Sequence, residues 1–174
     1  DPIPSRGLGD VYKRQITDSA NLFGFLKFYK SVRSKGIKPI AGAEINHVRD
    51  SSSHNEHANL TLIAKNQIGY KNLIKLISKS QIVGKTSGIP VIETEWLADH
   101  SDGLIALSGG FRGHIGKAVL DTNHDLFLKR IKYFQKIFKE DFILEISRIN
   151  RPQEDIYNDY ILSKAGELGL PVVA

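Results

Sequence analysis

The sequence predicts an α/β fold with a mainly parallel sheet or barrel. Short apolar runs rich in β-branched residues alternate along the chain with segments whose apolar residues recur at spacings of three and four. This alternation is typical of consecutive βα units. With 174 residues, the chain is long enough for one domain with a real core and leaves little room for a second.

The first predicted element follows a leader without any periodic pattern. Residues 1–15, "DPIPSRGLGDVYKRQ", contain two prolines and two glycines, which favours a loop or a disordered tail. The composition changes abruptly at Ile16, and the chain contains no methionine even at position 1. We therefore expect residues 1–15 to be a non-homologous leader, disordered or artefactual, and residues 16–174 to be a partial domain of a longer chain.

A buried strand that ends near Asp18 is expected to lead into a helix over residues 21–35. The apolar residues of that segment lie on one helical face, and Gly36 is a typical stop signal. Alternating or continuous apolar runs predict further strands at 37–48, 59–64, 103–110, 141–147 and 170–174. Helical periods predict helices at 66–84 and 152–169, one or two turns at 93–99, and two helices within 113–139 that break near Thr122 and Asn123.

Composition excludes several functional classes. Cysteine is absent, so there is neither a disulfide framework nor a thiolate metal site, and a reducing cytoplasm is permitted. No apolar run approaches the roughly 18 residues of a membrane span, and the first residues show no n-region and h-region pattern that would suggest export. The formal net charge of +5 is compatible with nucleic acid nearby, although many cytoplasmic enzymes carry a similar charge.

Four polar side chains stand near predicted strand ends: Asp18, Glu44, Asn59 and Glu145. The carboxyl ends of parallel strands open onto one crevice, so carboxylates there could share a divalent cation. The alternative is that Asp18 caps the following helix and that Glu44 is a solvated charge. The spacing alone favours capping, because Asp side chains readily accept hydrogen bonds from free N–H groups at helix starts.

The histidines and the glycine-rich segment give weaker signals. We expect His54 and His57 in "HNEH" to be a flexible surface pair. The other histidines lie away from the predicted strand end at Asp18. Of these, His100, His114 and His124 are expected in loops or on helix surfaces. The segment "LSGGFRGHIG" is either a phosphate-binding glycine loop or a tight turn, and the turn is favoured. Arg112 could hold a phosphate or a partner carboxylate in either case.

Several motifs in order resemble one known family. The stretches "ITDSANLFGFLKFYKSVRSKGIKPIAGAEI", "LTLIAKNQIGYKNLIKLIS", "GLIALSGG", "FILEISRINRPQEDIY" and "ELGLPVVA" resemble the polymerase-and-histidinol-phosphatase (PHP) domain of bacterial DNA polymerase III α subunits, of the proteobacterial type. The resemblance covers about residues 16–174. It implies a distorted (β/α)7 barrel, here incomplete at both ends.

The resemblance also bears on the metal site. Family members with an intact site bind zinc- or manganese-type ions through histidine and acidic residues and hydrolyse phosphoesters. Here the opening His-x-His motif is missing, and Ser19 and Asn59 stand at positions of ligand histidines. Arg148 falls in another histidine region. Only Asp18 and Glu44 match acidic ligands, as remnants of a degenerate site. Two ligands are too few for a stable metal cluster.

This resemblance implies a cytoplasmic scaffold or interaction module that is part of a replicative DNA polymerase. We expect no catalytic residue and no cofactor in the chain itself. A zinc- or manganese-type ion is expected only if the metal site is intact. The expected partners are other domains of the α subunit, a proofreading exonuclease subunit, and DNA through the parent protein, but no membrane. The catalytic aspartates of the parent polymerase would lie in later domains. The alternative is a metal-dependent phosphoesterase of the PHP superfamily.

Overall fold

A computed structural model describes residues 13–48, 57–86 and 88–174 of the chain. The strands are β1 (Lys13–Ser19), β2 (Lys38–Val48), β3 (Ala58–Ala64), β4 (Lys85–Thr86), β5 (Ile89–Pro90), β6 (Ile92–Glu93), β7 (Leu104–Leu107), β8 (Phe142–Glu145) and β9 (Val172–Val173). The helices are α1 (Phe25–Arg33), α2 (Gln67–Ile82), α3 (Thr94–Asp99), α4 (His114–Leu120), α5 (His124–Phe138) and α6 (Glu154–Leu168).

Seven of these strands form one curled, mixed sheet. Its order is β1-β2-β3-β7-β8-β9, and β6 pairs with the end of β2 on the edge that β1 also occupies. The pairs β1–β2, β2–β6, β7–β8 and β8–β9 are parallel. Neither β1 nor β9 has a second neighbour among the described strands, so the described sheet is an incomplete barrel. The predicted α/β class and the incomplete barrel are confirmed.

Strand β3 departs from the predicted parallel arrangement. It runs antiparallel to both β2 and β7. Only residues 49–57 connect β2 to β3. A parallel connection needs a crossover of a dozen or more residues, so this short link requires the chain to reverse.

The two faces of the sheet have different chemistry because side chains alternate along each strand. One face supplies buried aliphatic and aromatic residues to the core, including Ala43, Leu62, Ala106 and Phe142. Helices α2, α4, α5 and α6 cover this face with their own apolar stripes. The opposite face carries polar groups at the strand ends, and these line the cleft described below.

Element boundaries agree closely with the pattern in most places. The break between α4 and α5 falls where it was predicted: Thr122 has a positive φ of 52°, and the Asn123 side chain accepts a hydrogen bond from the Leu126 N–H. Three differences stand out. Helix α1 begins at Phe25, four residues after the predicted start. Strand β1 already begins at Lys13, within the predicted leader, and residues 85–90, for which no strand was predicted, contain the short pair β4–β5. The rest of the leader, residues 1–12, lies outside the described residues.

Helix α1 has the predicted amphipathic pattern but none of its residues is buried. Leu26 is 63% exposed, and the apolar side of α1 borders an open cavity of about 690 Å³ between α1 and α2. No described helix is long and apolar enough to cross a membrane.

Candidate functional site

A cleft of about 200 Å³ opens where several strands end. Glu44 of β2 lies opposite Thr61 of β3, and Thr61 lies opposite the last residue of β7. Glu145 ends β8 on the same side. The loops after β7 and β8 complete the wall with Arg112 and Arg151. The sheet and these loops therefore bring two carboxylates together with two guanidinium groups.

Glu44 and Asn59 are in direct contact within the cleft. The side-chain amide of Asn59 donates a hydrogen bond to the Glu44 carboxylate. The two residues lie diagonally across the β2–β3 pair, since Glu44 faces Thr61 and Asn59 faces Asn46. The register thus places Asn59 where its N–H group satisfies the carboxylate.

Glu145 is partly buried on the cleft wall. Its backbone N–H donates to the Ser108 hydroxyl at 2.9 Å, and the Tyr157 hydroxyl donates to its backbone carbonyl at 2.7 Å. Burial raises the pKa of the Glu145 carboxyl above its ordinary value of 4.5, and the negative charge of Glu44 raises it further. Burial also raises the pKa of Tyr157 strongly, so its hydroxyl stays protonated and acts as a donor.

Asp18 does not share this cleft face. In the β1–β2 register, Asp18 lies beside Ala43 and Ser19 lies beside Glu44, so Asp18 and Glu44 point to opposite faces. The Asp18 carboxylate accepts a hydrogen bond at 3.0 Å from the N–H of Gly24, the residue that precedes α1. The contact lies just before α1 but is not the N-cap that the spacing favoured, because α1 begins at Phe25 and its N-cap residue is Gly24.

The glycine-rich segment after β7 forms a closely packed turn. Gly109 has a φ of +76°, and a Cβ atom there would lie 2.1 Å from the Asn59 carbonyl oxygen. A Cβ at Gly113 would lie 1.8 Å from the Ser108 carbonyl oxygen. These contacts explain the glycines by packing, and the turn directs Arg112 to the cleft.

The described histidines lie elsewhere. His47 and His114 are buried side by side, with their ring centroids 5.1 Å apart, and the His114 ring contacts the His47 carbonyl oxygen at 3.0 Å. The expectation that His114 lies in a loop or on a helix surface is wrong, because its side of α4 packs against α5 and β2. His54, one half of the predicted loop pair, lies outside the described residues.

The donor set of the cleft does not fit the metal cluster that the PHP resemblance implies. Among the described residues, its lining includes the carboxylates of Glu44 and Glu145 but no imidazole, and the Asn59 amide nitrogen donates to Glu44. Within residues 13–48, 57–86 and 88–174, no three His, Cys, Asp or Glu side chains are grouped to hold a metal ion. Zinc sites normally use three or four protein ligands.

The loop after β8 brings to the cleft residues that were not among the polar side chains predicted near strand ends. Ser147 and Arg151 line the cleft, and the carboxylate of Glu154 lies behind them, accepting hydrogen bonds from the Ser147 hydroxyl at 2.6 Å and the Ile149 N–H at 2.8 Å. These hydrogen bonds lower the pKa of Glu154, the one from Ser147 most. A sequence signal was present: an acidic residue just after Pro152 opens α6.

Comparison with known proteins agrees with this architecture. The family model described as PHP domain matches residues 13–149. The chain is 42% identical over 159 residues to the DNA polymerase III subunit alpha of Vibrio cholerae serotype O1, 40% identical over 159 residues to that of Escherichia coli strain K12, and 35% identical over 159 residues to that of Pseudomonas fluorescens. Each alignment covers 91% of this chain, which spans only 14% of the length of each relative. The sheet, the strand-end cleft and the family match together show that the chain belongs to the PHP domain family.

Proposed function

We propose that this chain is the PHP region of a replicative DNA polymerase III α subunit and serves there as a structural and docking module. The names of the relatives support the replicative assignment. One observation carries the module role: the cleft combines Glu44 and Glu145 with Arg112 and Arg151, and no imidazole of residues 13–48, 57–86 or 88–174 lines it. On this proposal, the metal site of the family is degenerate in this chain.

The physical argument rests on charge and ligand type. A catalytic metal would need several deprotonated ligands on one side of the cleft, and the two arginines place positive charge beside it. Asp18, the other acidic remnant expected from the resemblance, is engaged with the Gly24 N–H on the opposite face. The remaining role of the residues at this end of the sheet is to join strands and loops and to present a surface.

The proposed partners follow from the same assignment. They are the other domains of the α subunit, a proofreading exonuclease subunit, and DNA as bound by the whole polymerase, all in the cytoplasm. Polymerase chemistry would belong to parts of the α subunit outside these 174 residues.

The alternative function is a metal-dependent phosphoesterase, favoured by the presence of Glu44 and Glu145 in the same cleft; burial, and secondarily the Glu44 charge, raises the pKa of Glu145. Hydrolysis of bis(p-nitrophenyl) phosphate by the purified chain, with zinc or manganese added, separates the two functions. We expect no turnover above that of the added metal alone. Turnover that disappears in Glu44→Gln would establish the phosphoesterase and overturn the module role.

Docking is tested separately by sedimentation velocity with a purified proofreading exonuclease subunit. We expect a complex that sediments faster than either protein alone. Independent sedimentation of the two proteins would remove the exonuclease from the proposed partners.

A further inference from the structure

The loop that follows β8 is fixed from beneath by one buried carboxylate. Glu154 is 3% exposed, and its two oxygens accept hydrogen bonds from the Ser147 hydroxyl and from the N–H groups of Ile149 and Arg151. Asn158, also buried, donates to the Ser147 carbonyl oxygen at 2.7 Å. The backbone from Ser147 to Arg151 is therefore held at several points by the first turns of α6.

The same loop contains two non-glycine residues with left-handed backbone. Asn150 has a φ of 58° and Gln153 a φ of 65°. Such conformations have an energetic cost, and they persist where surrounding contacts determine them. Here the hydrogen bonds to Glu154 span this stretch, so the loop has a defined shape before any partner arrives.

This fixed loop presents an apolar side chain between positive charges. Ile149 is 58% exposed, and it lines the cleft mouth together with Arg151 and with Arg112 from the turn after β7. The arginine side chains at 112, 148 and 151 are all exposed, and none forms an ion pair or hydrogen bond with another described residue. We call Arg112, Ile149 and Arg151 the mouth triplet.

We propose that the mouth triplet docks an acidic peptide segment of a separate partner subunit that also carries an aliphatic side chain. The inference rests on the proposed docking function and names the chemistry of the partner. Guanidinium groups bind carboxylates through paired, charge-assisted hydrogen bonds, and Ile149 gives the aliphatic side chain an apolar contact. A loop that is already ordered loses little conformational entropy when it binds, which strengthens the complex.

Two other occupants fit less well. The phosphates of a nucleic acid could pair with the two arginines, but Ile149 would gain no apolar partner from the backbone. A second copy of the chain would bring its own net charge of +5 to a basic loop. An acidic peptide satisfies both the charge and the apolar side chain.

Fluorescence anisotropy with the full chain tests the proposal. The ligand is a short fluorescein-labelled peptide of Glu and Leu, and its control has Gln in place of each Glu. Arg151→Ala, Arg112→Ala and Ile149→Ser are compared with two matched surface changes, Arg33→Ala on α1 and Ile156→Ser on α6, where Ile156 is 65% exposed. Circular dichroism of each variant confirms that its fold is retained.

The acidic peptide should bind in a salt-sensitive way and the neutral peptide at least about tenfold more weakly. Each mouth-triplet variant should weaken binding by about five- to tenfold, and the two matched variants should leave it unchanged. Equal binding by the neutral peptide, or no loss in the triplet variants, would overturn the proposal. Tighter binding of a labelled oligothymidylate that displaces the peptide would assign the surface to nucleic acid instead.

The outcome is separable from that of the proposed function. Failure of the peptide to bind while the exonuclease subunit still forms a complex would reject the mouth triplet and leave the docking function standing. Metal-dependent turnover would reject the module role whether or not the peptide binds.

Discussion

Two glutamates on either side of the cleft wall have opposite pKa shifts because their surroundings differ. Glu145 is partly buried close to another carboxylate, which favours its protonated form. Glu154 accepts hydrogen bonds from a hydroxyl and from backbone N–H groups, which favour its ionised form. The dependence of stability on pH should therefore change in opposite directions when each is replaced by glutamine.

Replacement of Glu145 by Gln should stabilise the fold near neutral pH. A raised pKa in the folded state means that the stabilisation from Glu145 is complete below its ordinary value of 4.5 and is lost as the pH rises through the folded-state pKa. Since the side chain is partly exposed, solvent screening limits the gain to roughly 0.5 kcal/mol. Urea unfolding across the pH range measures it; a variant less stable than the parent at neutral pH would contradict the assignment.

Replacement of Glu154 by Gln should have the reverse effect. Its pKa is lowered, so its stabilisation is present above 4.5 and is lost as the pH falls through the folded-state value. We expect Glu154→Gln to lower the midpoint of thermal unfolding at neutral pH, and the difference from the parent to shrink on acidification. Equal midpoints at neutral pH would show that the carboxylate does not hold the loop.

The side chains of the cleft could be predicted only in part. Glu145 follows from the rule that functional groups gather at the carboxyl ends of strands, whereas Glu44 lies within β2 and Asn59 reaches the cleft from the start of β3 only because β3 runs antiparallel. The face of the sheet on which Asp18 lies does not follow from that rule, because a shift of one residue in a strand moves a side chain to the other face. Arg151 lies in a loop whose path depends on the hydrogen bonds of Glu154, and no periodic pattern encodes that path.

At the scale of elements, the helical spacing of apolar residues predicts that a helix forms more reliably than it predicts that the helix is buried. Both α1 and α2 show the apolar spacing, yet α1 buries no residue while α2 buries five. The difference arises from neighbours: α2 packs on the sheet through Leu73 and Leu76, whereas the apolar side of α1 faces an open cavity. Such tertiary surroundings are invisible in a local pattern.

Helix α2 approaches the backbone before β7 so closely that only glycine fits. A Cβ atom at Gly69 would lie 1.8 Å from the Gly103 carbonyl oxygen. We expect Gly69→Ala to destabilise the fold by about 3 kcal/mol, since the helix or the turn must move. Denaturant unfolding measures the change in free energy.

The matched control for this substitution is Gly166→Ala in α6. Nothing lies within 4 Å of a Cβ atom at Gly166. Alanine there should stabilise the helix by about 0.5–1 kcal/mol because it restricts the unfolded chain and suits a helix interior. A Gly69→Ala variant as stable as Gly166→Ala would show that α2 can move away from Gly103 at little cost in free energy.

For the whole molecule, several motifs in order predicted the family more firmly than any single periodic pattern. The match to the PHP domain over residues 13–149 and the curled sheet agree with that prediction. The antiparallel course of β3 was not predicted, because an alternating pattern shows which residues share a face of a strand but not whether the strand runs parallel to its neighbours. The burial of His47 against His114 was also missed, since histidine is common both in cores and on surfaces.

The central proposal is that the cleft lined by Glu44 and Glu145 in this PHP domain does not hold a metal cluster. Isothermal titration calorimetry of the full chain with zinc and with manganese tests it most directly. We expect no stoichiometric uptake tighter than about 10 µM, because the described part of the chain offers the cleft two carboxylates and no imidazole. Tight, stoichiometric uptake that is lost in both Glu44→Gln and Glu145→Gln would contradict the proposal.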